Sequence, residues 1–160
     1  MCIQKIYGQR STESRHSTTV LARKACGYEE RRKASIRTLQ IGSCPQALIA
    51  AKACADLGLY NSAINRLYYA VYYSVSALLF INDIQAKTHS ALRSQFSQYF
   101  VKTGIFDQKY SRLLAILYDG RQKGDYDDFF DFDEETIELY SISAKEMIER
   151  IEKAIKSSNS

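Results

Sequence analysis

Residues 61–83 read "NSAINRLYYAVYYSVSALLFIND". Between Asn61 and Asp83 the only charged side chain is Arg66. Ala63, Leu67, Ala70, Val71 and Leu78 recur at steps of three and four, the period at which one face of an α-helix returns. Asn61 is placed to cap the first turn. The segment therefore predicts a helix. Its apolar run near "VSALLFI" is far shorter than the ~20 residues that span a bilayer, so the helix belongs to a protein core and no membrane contact is expected.

The flanks repeat the pattern. Upstream, "SCPQALIAAKACADLG" (43–58) opens on Ser43, puts Pro45 in the first turn and ends at Gly58, the asymmetry of a helix. The short link to the central helix favours an antiparallel pair. Downstream, "THSALRSQFSQYFVKTG" (88–104) has Thr88 as cap, Leu92, Phe96 and Phe100 as apolar stripe and Gly104 as stop. "DQKYSRLLAILYDGRQKG" (107–124) places Tyr110, Leu113, Leu114, Leu117 and Tyr118 inward. In "DEETIELYSISAKEMIERIEKAIKS" (133–157) Asp133 caps the helix. Glu134 and Glu135 sit at the positive end of its dipole, and Lys153 and Lys156 near its negative end. No stretch has comparable support as a strand. The fold class read from this is all-α, an antiparallel bundle of four to five helices.

A chain of 160 residues with 46% apolar and 25% charged content suits one ordinary soluble domain. Its net charge of +4 is unevenly spread. Residues 1–42 carry nine Lys/Arg against three Glu and show no helical or strand period; residues 43–160 carry thirteen Lys/Arg against fifteen Asp/Glu. The division expected is a basic, poorly ordered extension over 1–42 and a helical domain over 43–157. The domain is mildly acidic, which argues against a broad basic face for duplex nucleic acid. The start has no apolar stretch of signal-peptide kind. Cys2, Cys26, Cys44 and Cys54 have no paired spacing and fit reduced thiols. A cytoplasmic setting is expected.

The stretch "DGRQKGDYDDFFDFDEE" (119–135) gathers eight acids around Arg121, Lys123 and Tyr126. A calcium loop needs a glycine at its sixth position and a glutamate at its twelfth. Counted from Asp125, these are Phe130 and Thr136. A di-iron bundle needs paired Glu-x-x-His motifs, and the single match, Glu13–His16, falls in the extension. Neither metal nor cofactor is expected. Asp131 and Asp133 suit a helix start, and Phe129, Phe130 and Phe132 would fold the connection onto the core. Arg66 would pair with the acids after Asp125. Why Arg121 and Tyr126 stand together at a helix end is left open by this reading.

Three blocks, "GLYNSAINRLYYAVYYSVSALL", "KTHSALRSQFSQYFVKTG" and "RQKGDYDDF", in this order over about residues 46–152, resemble the HEPN domain family. The likeness is to the small stand-alone branch encoded beside a minimal nucleotidyltransferase. The resemblance implies a helical bundle that pairs as a homodimer. Many members are metal-independent RNases in which an arginine binds the scissile phosphate. A histidine four to six residues later assists attack by the ribose 2′-OH. Several are toxins neutralised by the nucleotidyltransferase.

Here Arg121 matches the arginine, and Tyr126 stands in the place of the histidine. With an ordinary pKa near 10, about one tyrosine in a thousand is ionised at pH 7, so Tyr126 is a poor general base, though it can donate a hydrogen bond to phosphate. The site expected on the resemblance comprises Arg121, Asp125 and Tyr126, with His89 as assistant, Arg121 and Lys123 on RNA phosphate, and Tyr126 as a modifiable hydroxyl. His89 has the alternative of a surface or capping role. Tyr69, Tyr72 and Tyr73 are expected at a dimer interface, with base stacking as the alternative. Two functions follow: an RNA-binding component of a toxin–antitoxin-like module, with or without RNA cutting, or a non-catalytic dimerising adaptor.

Overall fold

The computed structural model describes residues 42–126 and 132–157, with side chains 124–126 outside the description. The expected extension over 1–42 lies outside it but for Gly42. Five helices follow in order: α1 (42–56), α2 (Tyr60–Ile81), α3 (His89–Phe96), α4 (Gln108–Tyr126) and α5 (Glu134–Ser157). Among the described residues there is no strand. The fold is all-α, as its periodicity predicts.

The segment that decides the fold is also its centre. α2 packs against α3, α4 and α5. Ala63, Ile64, Leu67, Tyr68, Ala70, Val71, Val75 and Ala77 are essentially sealed from water. Each large apolar side chain buried in this way contributes about 1.5–3 kcal/mol. Among the described residues Ser74 is the one buried polar residue of the core, and its Oγ donates to the Val71 carbonyl at 2.8 Å. α4 supplies Tyr110, Leu113, Leu114 and Leu117, and α5 supplies Ile137, Ala144, Met147, Ile148, Ile151 and Ile155.

The helix ends are closed by local bonds. α1 stops in a Schellman motif: Gly58 takes φ +73°, Leu59 N–H donates to the Cys54 carbonyl at 2.8 Å, and Gly58 N–H to that of Ala55 at 2.9 Å. α2 stops the same way with Asp83 at φ +58°, Ile84 N–H bonding Leu79 and Asp83 N–H bonding Phe80. Thr88 caps α3 by accepting from Ala91 N–H at 3.1 Å, and Asp133 caps α5 by accepting from Thr136 N–H at 2.8 Å.

Three local expectations need correction. Asn61 is not the cap of α2: the Schellman turn delivers the chain straight into the helix, so Leu59 takes that place without a side-chain bond. Ser43 lies inside α1, which already includes residue 42. The third helix does not run straight to Gly104 but widens into a π-helical turn over Ser97–Val101, where Lys102 N–H bonds the Ser97 carbonyl at 2.9 Å. The apolar stripe is kept across that turn, because Phe96 and Phe100 stack with centroids 6.1 Å apart.

Gly120 positions the end of α4. A β-carbon there would lie 2.9 Å from Phe132 Cζ and 3.0 Å from Ile64 Cγ2. Glycine lets Phe132 fold back over α4, as expected of it. Phe129 and Phe130 lie outside the described residues.

Candidate functional site

Arg121 follows Gly120 and is carried by α4 to the tyrosine face of α2. Its Cζ lies 5.7 Å from the Tyr68 ring centre and 5.3 Å from that of Tyr69. This is cation–π distance, and its Nε is buried. His89 reaches the same place from the first turn of α3. Its Nδ1 is 2.6 Å from the Tyr68 hydroxyl. Its ring centre is 4.7 Å from that of Tyr72 and 6.2 Å from that of Tyr118.

The electrostatics follow from this enclosure. Burial among the tyrosines lowers the His89 pKa from 6.5, and the positive charge of Arg121 lowers it further, so the ring is neutral at pH 7. Burial raises the pKa of Tyr68 far above 10, the nearby Tyr72 adding to it against the opposing charge of Arg121. The pair is therefore a protonated phenol against a neutral imidazole. With Nδ1 engaged by Tyr68, Nε2 is the ring atom left to meet a ligand. α4 is held beside this cluster by Arg93, whose Cζ lies 4.5 Å over the Tyr118 ring and whose Nη1 is 3.8 Å from Asp119 Oδ1. Gln122 Nε2 donates to the Tyr118 hydroxyl at 2.9 Å.

Of the site residues expected from sequence, the structure brings Arg121, His89, Tyr69 and Tyr72 together. Tyr73 continues the cluster along α2, its ring centre 5.9 Å from that of Tyr72. Lys123 is exposed two residues beyond Arg121. The backbone of Asp125 and Tyr126 completes α4, while their side chains lie outside the described residues. Arg66 is exposed, with Cζ 6.0 Å from the Tyr69 ring centre. The acids expected to pair with it, from Asp127 onward, are outside the description until Asp133.

Tyr68 and Tyr118 were missed as site residues. Tyr68 is fully buried and sits at an ordinary core step of α2, so nothing local sets it apart. Its role comes from a partner 21 residues away. Among the described residues no three His, Cys, Asp or Glu side chains converge as a metal site would require. Cys44 and Cys54 are free thiols. Burial, with the charge of Glu152 adding, pushes Cys44 up to about 12.

The HEPN domain family matches residues 45–157 of the sequence, most of the chain and nearly all of its bundle. The chain belongs to the HEPN family. This HEPN chain is 35% identical over 95 residues to a Thermotoga maritima protein named "UPF0332 protein", covering 59% of the chain and 72% of that relative. It is also 35% identical over 109 residues to a Methanocaldococcus jannaschii protein named "Putative toxin MJ0605", covering 68% of the chain and 81% of the relative. A second protein of that organism, "Putative toxin MJ0142", is 37% identical over 78 residues, 46% of the chain and 53% of the relative. No described helix of the HEPN chain is long and apolar enough to cross a membrane.

Proposed function

We propose that this HEPN chain is the toxin-like component of a cytoplasmic nucleotidyltransferase/HEPN module, and that it binds RNA and cleaves it slowly without metal. The observation that carries the reading is the Tyr68–His89 bond of 2.6 Å beside Arg121, which lies over the same tyrosine ring. A guanidinium offers a planar fork of donors that suits two phosphate oxygens. Next to it stands an imidazole that is neutral at pH 7 and can take a proton.

In this proposal Arg121, helped by Lys123, holds the scissile phosphate. A His89 ring that donates from Nδ1 to the Tyr68 oxygen presents a bare Nε2. Nε2 removes the proton of the ribose 2′-OH as that oxygen attacks phosphorus. The P–O5′ bond breaks, leaving a 2′,3′-cyclic phosphate, and the departing 5′ oxygen takes a proton from water. Asp125 and Tyr126 shape the cleft from the last turn of α4. Tyr126, in the place where the family carries histidine, is a poor base, which is why cleavage is slow. Its hydroxyl is the group a partner nucleotidyltransferase would modify. The relatives named as toxins support the module; the family resemblance supports homodimers and the nucleotidyltransferase partner.

The second reading rests on the guanidinium lying against Tyr68 and Tyr69, a placement that also suits a purely structural arginine in a non-catalytic adaptor. One assay separates the two. Labelled RNA with EDTA is incubated with wild type, Arg121→Ala, His89→Gln, Tyr126→His and Tyr126→Phe. Slow cleavage by wild type, loss in Arg121→Ala and His89→Gln, and a gain in Tyr126→His support the RNase. If all five bind and cleave at background, the adaptor reading stands.

A further inference from the structure

Beside the Arg121–His89 cluster the surface opens into a cavity of about 440 Å³, lined by Tyr72, Ser76, Phe80, Gln85, Ala86 and Lys87 among others. That volume lies within the ~300–1,000 Å³ of small-ligand sites. Tyr72 belongs to both places: it lines the cavity, and its ring lies 4.7 Å from His89. Lys87 stands two residues before His89, so the loop that forms one wall leads directly into α3.

We infer that this cavity is a nucleobase subsite, receiving the base of the nucleotide whose phosphate lies at Arg121. The inference rests on the phosphate reading above and adds to it what the neighbouring group must be. The lining has the composition a base requires. Tyr72 and Phe80 supply aromatic surface, and base–aromatic stacking is favourable for any base. Ser76 and Gln85 supply hydrogen-bonding groups, and Lys87 supplies a positive charge. The carboxamide of Gln85 sets a donor beside an acceptor, the pattern that matches N7 and N6 of adenine. Among the described residues no acidic side chain lines this cavity, so a nucleotide meets no like charge from them. A bare phosphate or a sugar phosphate would leave the aromatic wall unused.

The test compares adenosine 5′-monophosphate with ribose 5-phosphate, which carries the same phosphate and sugar without the base. Affinities are measured by calorimetry on the full chain and on Arg121→Ala, Ser76→Phe and Gln85→Ala. The nucleotide should bind wild type at least about tenfold more tightly than the sugar phosphate, the scale of one stacked base. Ser76→Phe fills the cavity and should bring the nucleotide down to the level of the sugar phosphate while leaving the latter unchanged. Gln85→Ala, at an exposed position that does not threaten folding, should narrow the gap between the two. Equal affinity in wild type, or equal losses for both probes in Ser76→Phe and no effect of Gln85→Ala, overturns the subsite. If Arg121→Ala leaves sugar-phosphate binding intact, the phosphate reading fails, while the ratio of the two probes still reports on the cavity. Absence of binding by either probe at millimolar concentration overturns both.

Discussion

His89 makes the bundle sensitive to mild acid. Its pKa is lowered in the folded chain, by burial first and by Arg121 second, whereas the unfolded ring titrates near 6.5. Among the described residues the groups that face it are Tyr68, Tyr69, Tyr72 and Tyr118 together with Arg121, and none of these offers a negative charge to hold a proton. Below about pH 6.5 the unfolded chain takes up a proton that the folded chain refuses. Stability is therefore complete above that value and falls as pH drops towards the folded pKa, with a slope of at most about 1.4 kcal/mol per pH unit. Melting temperatures between pH 7.5 and 5.5 should show this decline in wild type and a flatter profile in His89→Gln. A profile equally steep in both would remove His89 as its source. Gly120 gives a second prediction. Gly120→Ala drives a methyl to 2.9 Å from Phe132 and 3.0 Å from Ile64. Overpacking of this kind costs about 1–3 kcal/mol, and chemical denaturation should report a loss in that range although alanine is the better helix former. The sequence hid the surroundings of both residues for one reason. Arg121 was legible because a linear motif carries it, whereas the partners of His89 and the neighbours of Gly120 come from other helices and are set by packing.

The elements were legible where their ends carry their own chemistry. Gly58, Thr88, Gly104 and Asp133 each do at a helix boundary what their side chains, or the lack of one, favour. Asn61 failed because a preceding Schellman turn left no gap for a cap to fill, and that turn is set by the neighbouring helix rather than by Asn61. The π-helical turn at Ser97–Val101 left no mark in the sequence, since a one-residue widening keeps Phe96 and Phe100 in the same buried stripe. α3 is short, eight residues, and its first residue is His89, so its cap matters twice. Replacing Thr88 by alanine removes the bond to Ala91 N–H. That should cost about 0.5–2 kcal/mol and loosen the turn that aims His89 at Tyr68. Amide exchange should speed up at Ala91 and across the first turn of α3, with the rest of the bundle little changed. Protection at Ala91 as strong as in wild type would show that packing of Leu92, not the cap, fixes this turn.

At the scale of the molecule the question is which surface a second copy would cover. The tyrosine strip that suggested a dimer is half-buried within one chain, and Tyr69 and Tyr72 already pack against Arg121 and His89. Among the large apolar side chains left in water away from that strip, Leu139 and Ile142 on α5 are 60% and 63% exposed, and Ile116 on α4 is 43% exposed. Two arrangements can therefore compete, and they differ in consequence. Pairing along α2 would bring two Arg121–His89 clusters towards one cleft, as the family resemblance implies; pairing through α5 would leave each cluster to work alone. Tyrosine is favoured at interfaces because it combines a large apolar ring with a hydroxyl that finds a partner, and Tyr73 is the member of the strip that contacts neither Arg121 nor His89. The prediction is a homodimer at tens of micromolar by light scattering, paired along α2. A Tyr73→Arg chain should then run as a monomer, because two copies of the new charge would face each other across a two-fold axis, and a Leu139→Lys chain should remain a dimer. The opposite result would move the interface to α5, and a monomeric wild type would end the dimer reading altogether.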